Sequence, residues 1–157
     1  MLLGLAGQPF PELDVEEHLG PALPSADSLK GKVVVAFFWA HWCPDCKRQL
    51  PALEQLHDTY GDQVAIIGPT QLYGYVSRGE DATPEQELAY LRGAYQDRFP
   101  LPDWMSVPIS QQNFLDFGVS TTPTLVVIDR EGIVRLYNPG DLPYEELGPH
   151  VERLLGD

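Results

Sequence analysis

The sequence predicts an α/β domain, a central mixed β-sheet flanked by helices on both faces. Three observations carry this. The run Val33-Val34-Val35-Ala36-Phe37-Phe38-Trp39 is continuously apolar, the character of a strand buried on both sides. Behind it, Leu50, Leu53, Leu56 and Tyr60 recur at helical spacing along one face. Later, two apolar runs, Thr124 to Asp129 and Ile133 to Tyr137, flank Arg130-Glu131-Gly132 as the arms of an antiparallel hairpin.

The remaining elements follow in chain order. Residues 9 to 27 are rich in proline, glycine and acidic residues, and Leu13 and Val15 alternate with polar neighbours, which predicts a short edge strand or hairpin. Lys32 to Ala40 is the central strand. Gln63 to Gly68, after the Gly61-Asp62 turn, reads as the next, parallel strand. Thr83-Pro84-Glu85-Gln86 is a capping box with proline at the first helical position, opening a helix through Leu88, Leu91 and Tyr95 that ends before Phe99-Pro100. Ser110 to Phe117 is a shorter helix stopped by Gly118. A last helix carries Leu147, Val151, Leu154 and Leu155, with Gly148-Pro149 threatening its continuity. Tyr73-Gly74-Tyr75 and Ser77 to Asp81 read as an exposed loop, and Pro100-Leu101-Pro102-Asp103-Trp104 as a rigid turn. The aromatic residues here suit either a docking rim beside Trp42 or satellite core under a long loop. Trp39 belongs in the core and Trp42 at the surface.

Composition narrows the class of function. The 157 residues hold 10 Lys plus Arg against 23 Asp plus Glu, a formal charge of −13 that repels phosphate backbones and argues against nucleic acid as a partner. The longest apolar run, Val33 to Ala40, is too short to cross a bilayer, and Met1 to Gly7 lacks the basic region and length of a signal peptide. A soluble chain is expected, without membrane insertion and folded as one domain over residues 1 to 157.

Cys43-Pro44-Asp45-Cys46 contains both cysteines of the chain, placed where the central strand hands over to a helix. Pro44 suits the first helical position, where its missing N–H costs nothing. Cys43 then falls at the N-cap, its sulfur facing unpaired backbone N–H groups and the positive end of the helix dipole, which favour thiolate over thiol. Cys43 is the expected nucleophile. Cys46, one turn further in, is placed to attack a mixed disulfide at Cys43 and close the intramolecular bridge, as a resolving thiol. A structural zinc site needs four ligands, and His18, His41, His57 and His150 show no paired spacing. A purely structural disulfide over so short a loop would constrain the unfolded chain little.

Val35-Ala36-Phe37-Phe38-Trp39-Ala40-His41-Trp42-Cys43-Pro44-Asp45-Cys46-Lys47, with Pro51 inside the following helix, resembles the active-site segment of thioredoxin-like proteins. Gly118-Val119-Ser120-Thr121-Thr122-Pro123-Thr124-Leu125 is similar to that family's cis-proline segment. The lead-in Gly7 to Leu13 and Ser28 to Val35 further resembles the TlpA/ResA-like branch of bacterial thiol–disulfide oxidoreductases. The resemblance implies a thioredoxin fold with an N-terminal extension (1–31) and a segment inserted before the cis-proline (70–110). It implies a redox-active Cys43–Cys46 disulfide with no other cofactor and no metal, and a monomer acting on protein thiols or disulfides as a reductase. Pro123 would be cis and face Cys43, and a partner chain would pair with the backbone at Thr122, with Trp42 and Pro44 at the contact. Many members of the branch are exported or tethered, so a periplasmic or otherwise extracytoplasmic location is expected, with the leader absent from this chain; a cytoplasmic one stays open. Cytochrome maturation, copper-site assembly and general disulfide reduction all fit.

Two departures matter. Thioredoxins place a buried acid six positions before the first cysteine, where this chain has Phe37, so protons must move through water, Asp45, His41 or another acidic side chain. Between the cysteines stands Pro-Asp, where Asp45 opposes a thiolate while Lys47, Arg48 and a protonated His41 favour it. Two other functions compete. A peroxiredoxin-type thiol peroxidase would need a proline at position 36 and Thr or Ser at position 40, both occupied by alanine. A non-catalytic binding module would use residues 70 to 110 and leave the cysteines inert.

Overall fold

The computed structural model describes residues 5–156, and the reading of Met1 to Gly4 lies outside the described residues. In chain order the elements are β1 (Glu17–Leu19), α1 (Ala26–Leu29), β2 (Val33–Phe38), α2 (Pro44–Tyr60), β3 (Val64–Ile67), β4 (Tyr75–Val76), β5 (Glu80–Asp81), α3 (Pro84–Arg92), α4 (Ala94–Arg98), β6 (Val107–Ile109), α5 (Gln111–Phe117), β7 (Thr124–Ile128), β8 (Val134–Pro139) and α6 (Tyr144–Gly156).

The main sheet has the order β3-β2-β7-β8, with β3 parallel to β2 and the other pairs antiparallel. Alternation along β2 builds two cores. Val33, Val35, Phe37 and, just beyond the strand, Trp39 meet Leu53 and Leu56 of α2 and Leu147 and Val151 of α6. Val34, Ala36 and Phe38 meet Phe114 and Phe117 of α5 on the other side. Phe38 sits edge-on to Phe114 and tilted to Phe117, with both centroids 5.1 Å away. Burial on both faces explains why β2 reads as an unbroken apolar run.

The N-terminal strand lies later than Leu13 and Val15 suggest. Asn113 captures the Asp14 backbone, accepting from its N–H at 2.7 Å and donating to its carbonyl at 2.8 Å. That stretch is held by a side chain, and the ladder forms only at β1, which pairs with β6. Strand β6 escaped the sequence reading because it is short and centred on Pro108, a residue confined to sheet edges. The capping box at Thr83 is formed, but the helix divides at Gly93 into α3 and α4. The break lets Tyr95 stack on Trp39 at 5.9 Å. Tyr75–Val76 and Glu80–Asp81 pair as a small hairpin where the sequence suggested open loop.

Helix α6 runs unbroken through Gly148-Pro149. A Cβ at Gly148 would stand 2.9 Å from the Tyr144 ring, so glycine lets that ring lie against its own helix. Gly118 adopts a left-handed conformation (φ 68°) and closes α5.

Candidate active site

Strand β2 ends at Phe38, and Trp39 is locked by its indole N–H, which donates to the Gly68 carbonyl at 2.9 Å. The Thr70 hydroxyl donates to the Trp39 carbonyl at 2.6 Å. These bonds fix the chain just before the cysteines. Cys43 is the N-cap of α2, with Pro44 at the first helical position, and the Cys46 N–H donates to the Cys43 sulfur at 3.2 Å. The two sulfurs are bonded, with the Cα atoms 5.3 Å apart.

Cys43 is 3% exposed and Cys46 2%, so the first sulfur is less open than its place at a helix mouth suggests. Its neighbours form the accessible rim: Trp42 is 43% exposed and Pro44 is also exposed. Trp42 meets Tyr73 edge-on at 5.5 Å. Tyr73 and Tyr75 are half-buried, and Tyr73 packs against the main core, so it serves both as satellite core and as one wall of the rim.

The Thr122–Pro123 peptide is cis. Pro123 is buried, its carbonyl accepting from Gly140 N–H at 2.7 Å. The half-buried Thr122 has a hydroxyl with no hydrogen-bond partner among the described residues. Among the described residues, no group of three or more His, Cys, Asp or Glu side chains is placed to hold a metal ion.

The charges weighed in the sequence resolve differently in three dimensions. Asp45 and Arg48 pair with each other on the surface of α2, so their opposed influences on the sulfur offset. Burial holds His41 below the ordinary histidine pKa, against the pull of Glu87 and the Tyr75 backbone, so at neutral pH it is uncharged and lends no positive field. The Lys47 amine donates to the His41 carbonyl at 3.0 Å and lies 4.3 Å from the centre of the Phe99 ring. Burial, with Arg98 nearby, draws its pKa down as well.

Two buried polar residues here were missed by the sequence reading. Gln49, 2% exposed, donates to the Leu142 carbonyl at 2.9 Å and accepts from the Leu142 N–H at 2.7 Å. Glu87, fully buried, meets His41 Nε2 at 3.1 Å and accepts from the N–H groups of Tyr73 and Gly74. Its signal was present: Glu87, Leu91 and Tyr95 recur every four residues, placing a carboxylate on the apolar stripe.

A cysteine pair bonded across the first turn of a helix at the end of a central strand, with a cis-proline loop on the neighbouring strand, defines a thioredoxin-fold thiol–disulfide oxidoreductase. The Thioredoxin-like family profile matches residues 31–134, and the chain belongs to that family, in its TlpA/ResA-like branch. The thiol:disulfide interchange protein DsbE of Pseudomonas aeruginosa is 30% identical over 160 residues, covering 98% of this chain and 79% of its own. The thioredoxin-like protein YneN of Bacillus subtilis is 25% identical, covering 90% and 75% respectively. A crystal structure of a thiol-disulfide isomerase from Corynebacterium glutamicum shares the fold with a TM-score of 0.71 at 24% identity, covering 95% of this chain and 97% of that one.

Proposed function

We propose that this chain reduces disulfides in partner polypeptides, with Cys43 as nucleophile and Cys46 as resolving thiol. The observation that carries the reading is the Cys43 sulfur accepting the Cys46 N–H at the mouth of α2, a contact that stabilises negative charge on that sulfur. The reduced Cys43 thiolate attacks one sulfur of a partner disulfide, the partner's bond breaks, and its other sulfur leaves as thiolate. Cys46 then loses its proton and attacks Cys43, closing the internal disulfide and releasing the second partner thiolate. An external dithiol restores the reduced pair by the reverse exchange.

The Trp42 and Pro44 rim would receive the partner chain, whose backbone would add beside Thr122 and Pro123 as an extra strand. The Cys43–Cys46 disulfide serves as the redox group without a further cofactor, and the chain acts as a monomer. Membership of a branch with many exported and tethered proteins supports an extracytoplasmic setting, one in which a redox-active disulfide persists. No helix among the described residues is long and apolar enough to cross a membrane.

The test is turnover of insulin disulfides by dithiothreitol. Cys43→Ser should abolish catalysis, and full retained activity refutes the assignment. Cys46→Ser should trap the partner on Cys43 as a mixed disulfide recoverable without reductant; if none is recovered, Cys46 is not the resolving thiol. Measuring the reduction potential of the pair against glutathione decides direction, a strongly reducing value supporting the reductase.

A further inference from the structure

Strand β2 carries no acid beneath the cysteines: Phe37 fills that place and is 1% exposed. Resolution nevertheless requires Cys46 to give up a proton. The buried groups near the motif supply a candidate.

Glu87 is wholly withdrawn from water, which is costly for a carboxylate unless it is paired and hydrogen-bonded. It receives the Tyr73 N–H at 2.9 and 2.8 Å on its two oxygens, the Gly74 N–H at 2.8 Å and His41 Nε2 at 3.1 Å. Its backbone partners can only donate, so the carboxylate acts as acceptor and the uncharged His41 carries its hydrogen on Nε2. The lone pair is left on Nδ1, which is buried and has no hydrogen-bond partner among the described residues. The Tyr75 backbone favours the protonated imidazole, against the effect of burial. His41 is itself only 4% exposed.

This pair is tied to the redox motif by the chain itself. His41 lies two residues before Cys43, and its carbonyl is held by Lys47, the residue after Cys46. The rings of Tyr73, Tyr75, Tyr90 and Tyr95 enclose the imidazole at centroid distances of 6.0, 5.7, 5.5 and 6.3 Å. Burial pushes the phenols of Tyr73 and Tyr95 well up, so they stay neutral. Lys47 is the cation facing the site, while Asp45 and Arg48 pair with each other at the surface. An apolar, aromatic enclosure weakens dielectric screening, so the charge on the pair acts on the nearby sulfurs without direct contact.

We propose that His41 and Glu87 form the internal proton-holding site of the exchange reaction, taking up a proton as Cys46 loses one. The inference rests on the assignment of Cys46 as resolving thiol. Before resolution Cys43 is bonded to the partner and the pair is neutral imidazole plus carboxylate, with net charge −1, which disfavours a second negative charge on Cys46. Cys46–SH gives its proton to solvent while His41 Nδ1 takes one up, and the pair becomes net neutral. The Cys46 thiolate attacks Cys43, the Cys43–Cys46 bond forms, the bond to the partner breaks, and the departing thiolate is protonated as His41 releases its proton. Glu87 and His41 are positioning residues, Glu87 acting through His41 and both acting on the sulfurs through their charge.

The experiment follows the pH dependence of Cys43 alkylation by iodoacetamide in the reduced protein. Glu87→Gln keeps an acceptor for the loop N–H groups but removes the charge. Its alkylation midpoint should fall by about one pH unit, a roughly tenfold rise in thiolate population below the midpoint. Glu87→Asp keeps the charge and should keep the wild-type midpoint even as its melting temperature drops. A folded Glu87→Gln protein with the wild-type midpoint overturns the proposal. A second measurement needs no variant: the His41 ring, followed by NMR during pH titration, should titrate at higher pH in the reduced protein than in the oxidised one. Equal midpoints in the two states also overturn it. Continued insulin reduction by Glu87→Gln alongside an unmoved midpoint would sink the proton-holding pair while leaving the Cys43 and Cys46 assignments standing.

Discussion

Two loops of this molecule are fastened beside the redox helix by a single buried side chain each, and the contrast between them is instructive. Gln49 on α2 grips the Leu142 backbone through one donor and one acceptor. Glu87 on α3 grips Tyr73 and Gly74 by the same kind of backbone contact, but it brings a charge and a histidine with it. An amide clamp of this kind has no charge to titrate, so it gives rigidity alone. A carboxylate in the same role needs a second group to share its charge, and that need places a titratable pair next to the cysteines. The loop before α6 is held by an uncharged clamp, while the segment between residues 70 and 110 carries the pair proposed to act on the thiols.

The sharpest way to break this contrast is Glu87→Ala. It strands the part-buried Tyr73 and Gly74 N–H groups and the buried His41 Nε2, and unfolding measured by urea denaturation should show a loss of about 3 kcal/mol or more. Gln49→Ala leaves the Leu142 N–H and carbonyl without partners and should cost about 1–3 kcal/mol in the same assay, with the alkylation pH profile unchanged. If Gln49→Ala moved that profile as Glu87→Gln should, the division between a structural and a titrating clamp would fail.

The next effect is on pH. His41 has a lowered pKa in the folded protein, so the unfolded chain binds more protons between the folded value and 6.5. Its contribution is complete above 6.5 and is lost as pH falls through the folded value. The half-buried His150, lowered by desolvation and by Arg153 beside it, adds to the same loss. Urea midpoints should therefore fall on acidification below pH 6.5, and a His41→Asn, His150→Asn double variant should show a flatter profile. A profile as steep as wild type in that variant would place the titrating groups elsewhere. Asp129 acts in a separate, more acidic window. Burial works to raise its pKa, but N–H bonds from Ile133 and Glu131 and the Arg135 guanidinium hold it below the usual range.

The smallest expected effect on stability is that of Trp42→Ala, below about 1 kcal/mol, since the ring is largely in solvent and loses mainly its edge contact with Tyr73. Its consequence should lie in turnover: reduction of a polypeptide disulfide slows, while reduction of oxidised glutathione is unchanged. Equal slowing of both substrates would remove Trp42 from the docking rim.

Much of this was legible along the chain because it depends on short-range rules. The apolar run into Cys43, Pro44 at the first helical position, the capping box at Thr83 and the Gly118 stop are local patterns, and each is present in the structure. Strand β6 was hidden by Pro108, and the displaced start of β1 was hidden because Asn113, far away in sequence, captures Asp14. Gly148-Pro149 looked like a break because the accommodation of the Tyr144 ring against Gly148 is not written in propensity.

By itself, the amino-acid order determined the α/β arrangement, the adjacency of the two thiols and their place at a helix mouth, because a cysteine spacing and an apolar period need only neighbouring residues to have meaning. Tertiary structure alone decided which acid stands near those thiols. Phe37 emptied the expected position, and the fold brought Glu87 from forty-six residues away to His41, a pairing set by long-range packing of α3 and the Tyr73 loop over the motif.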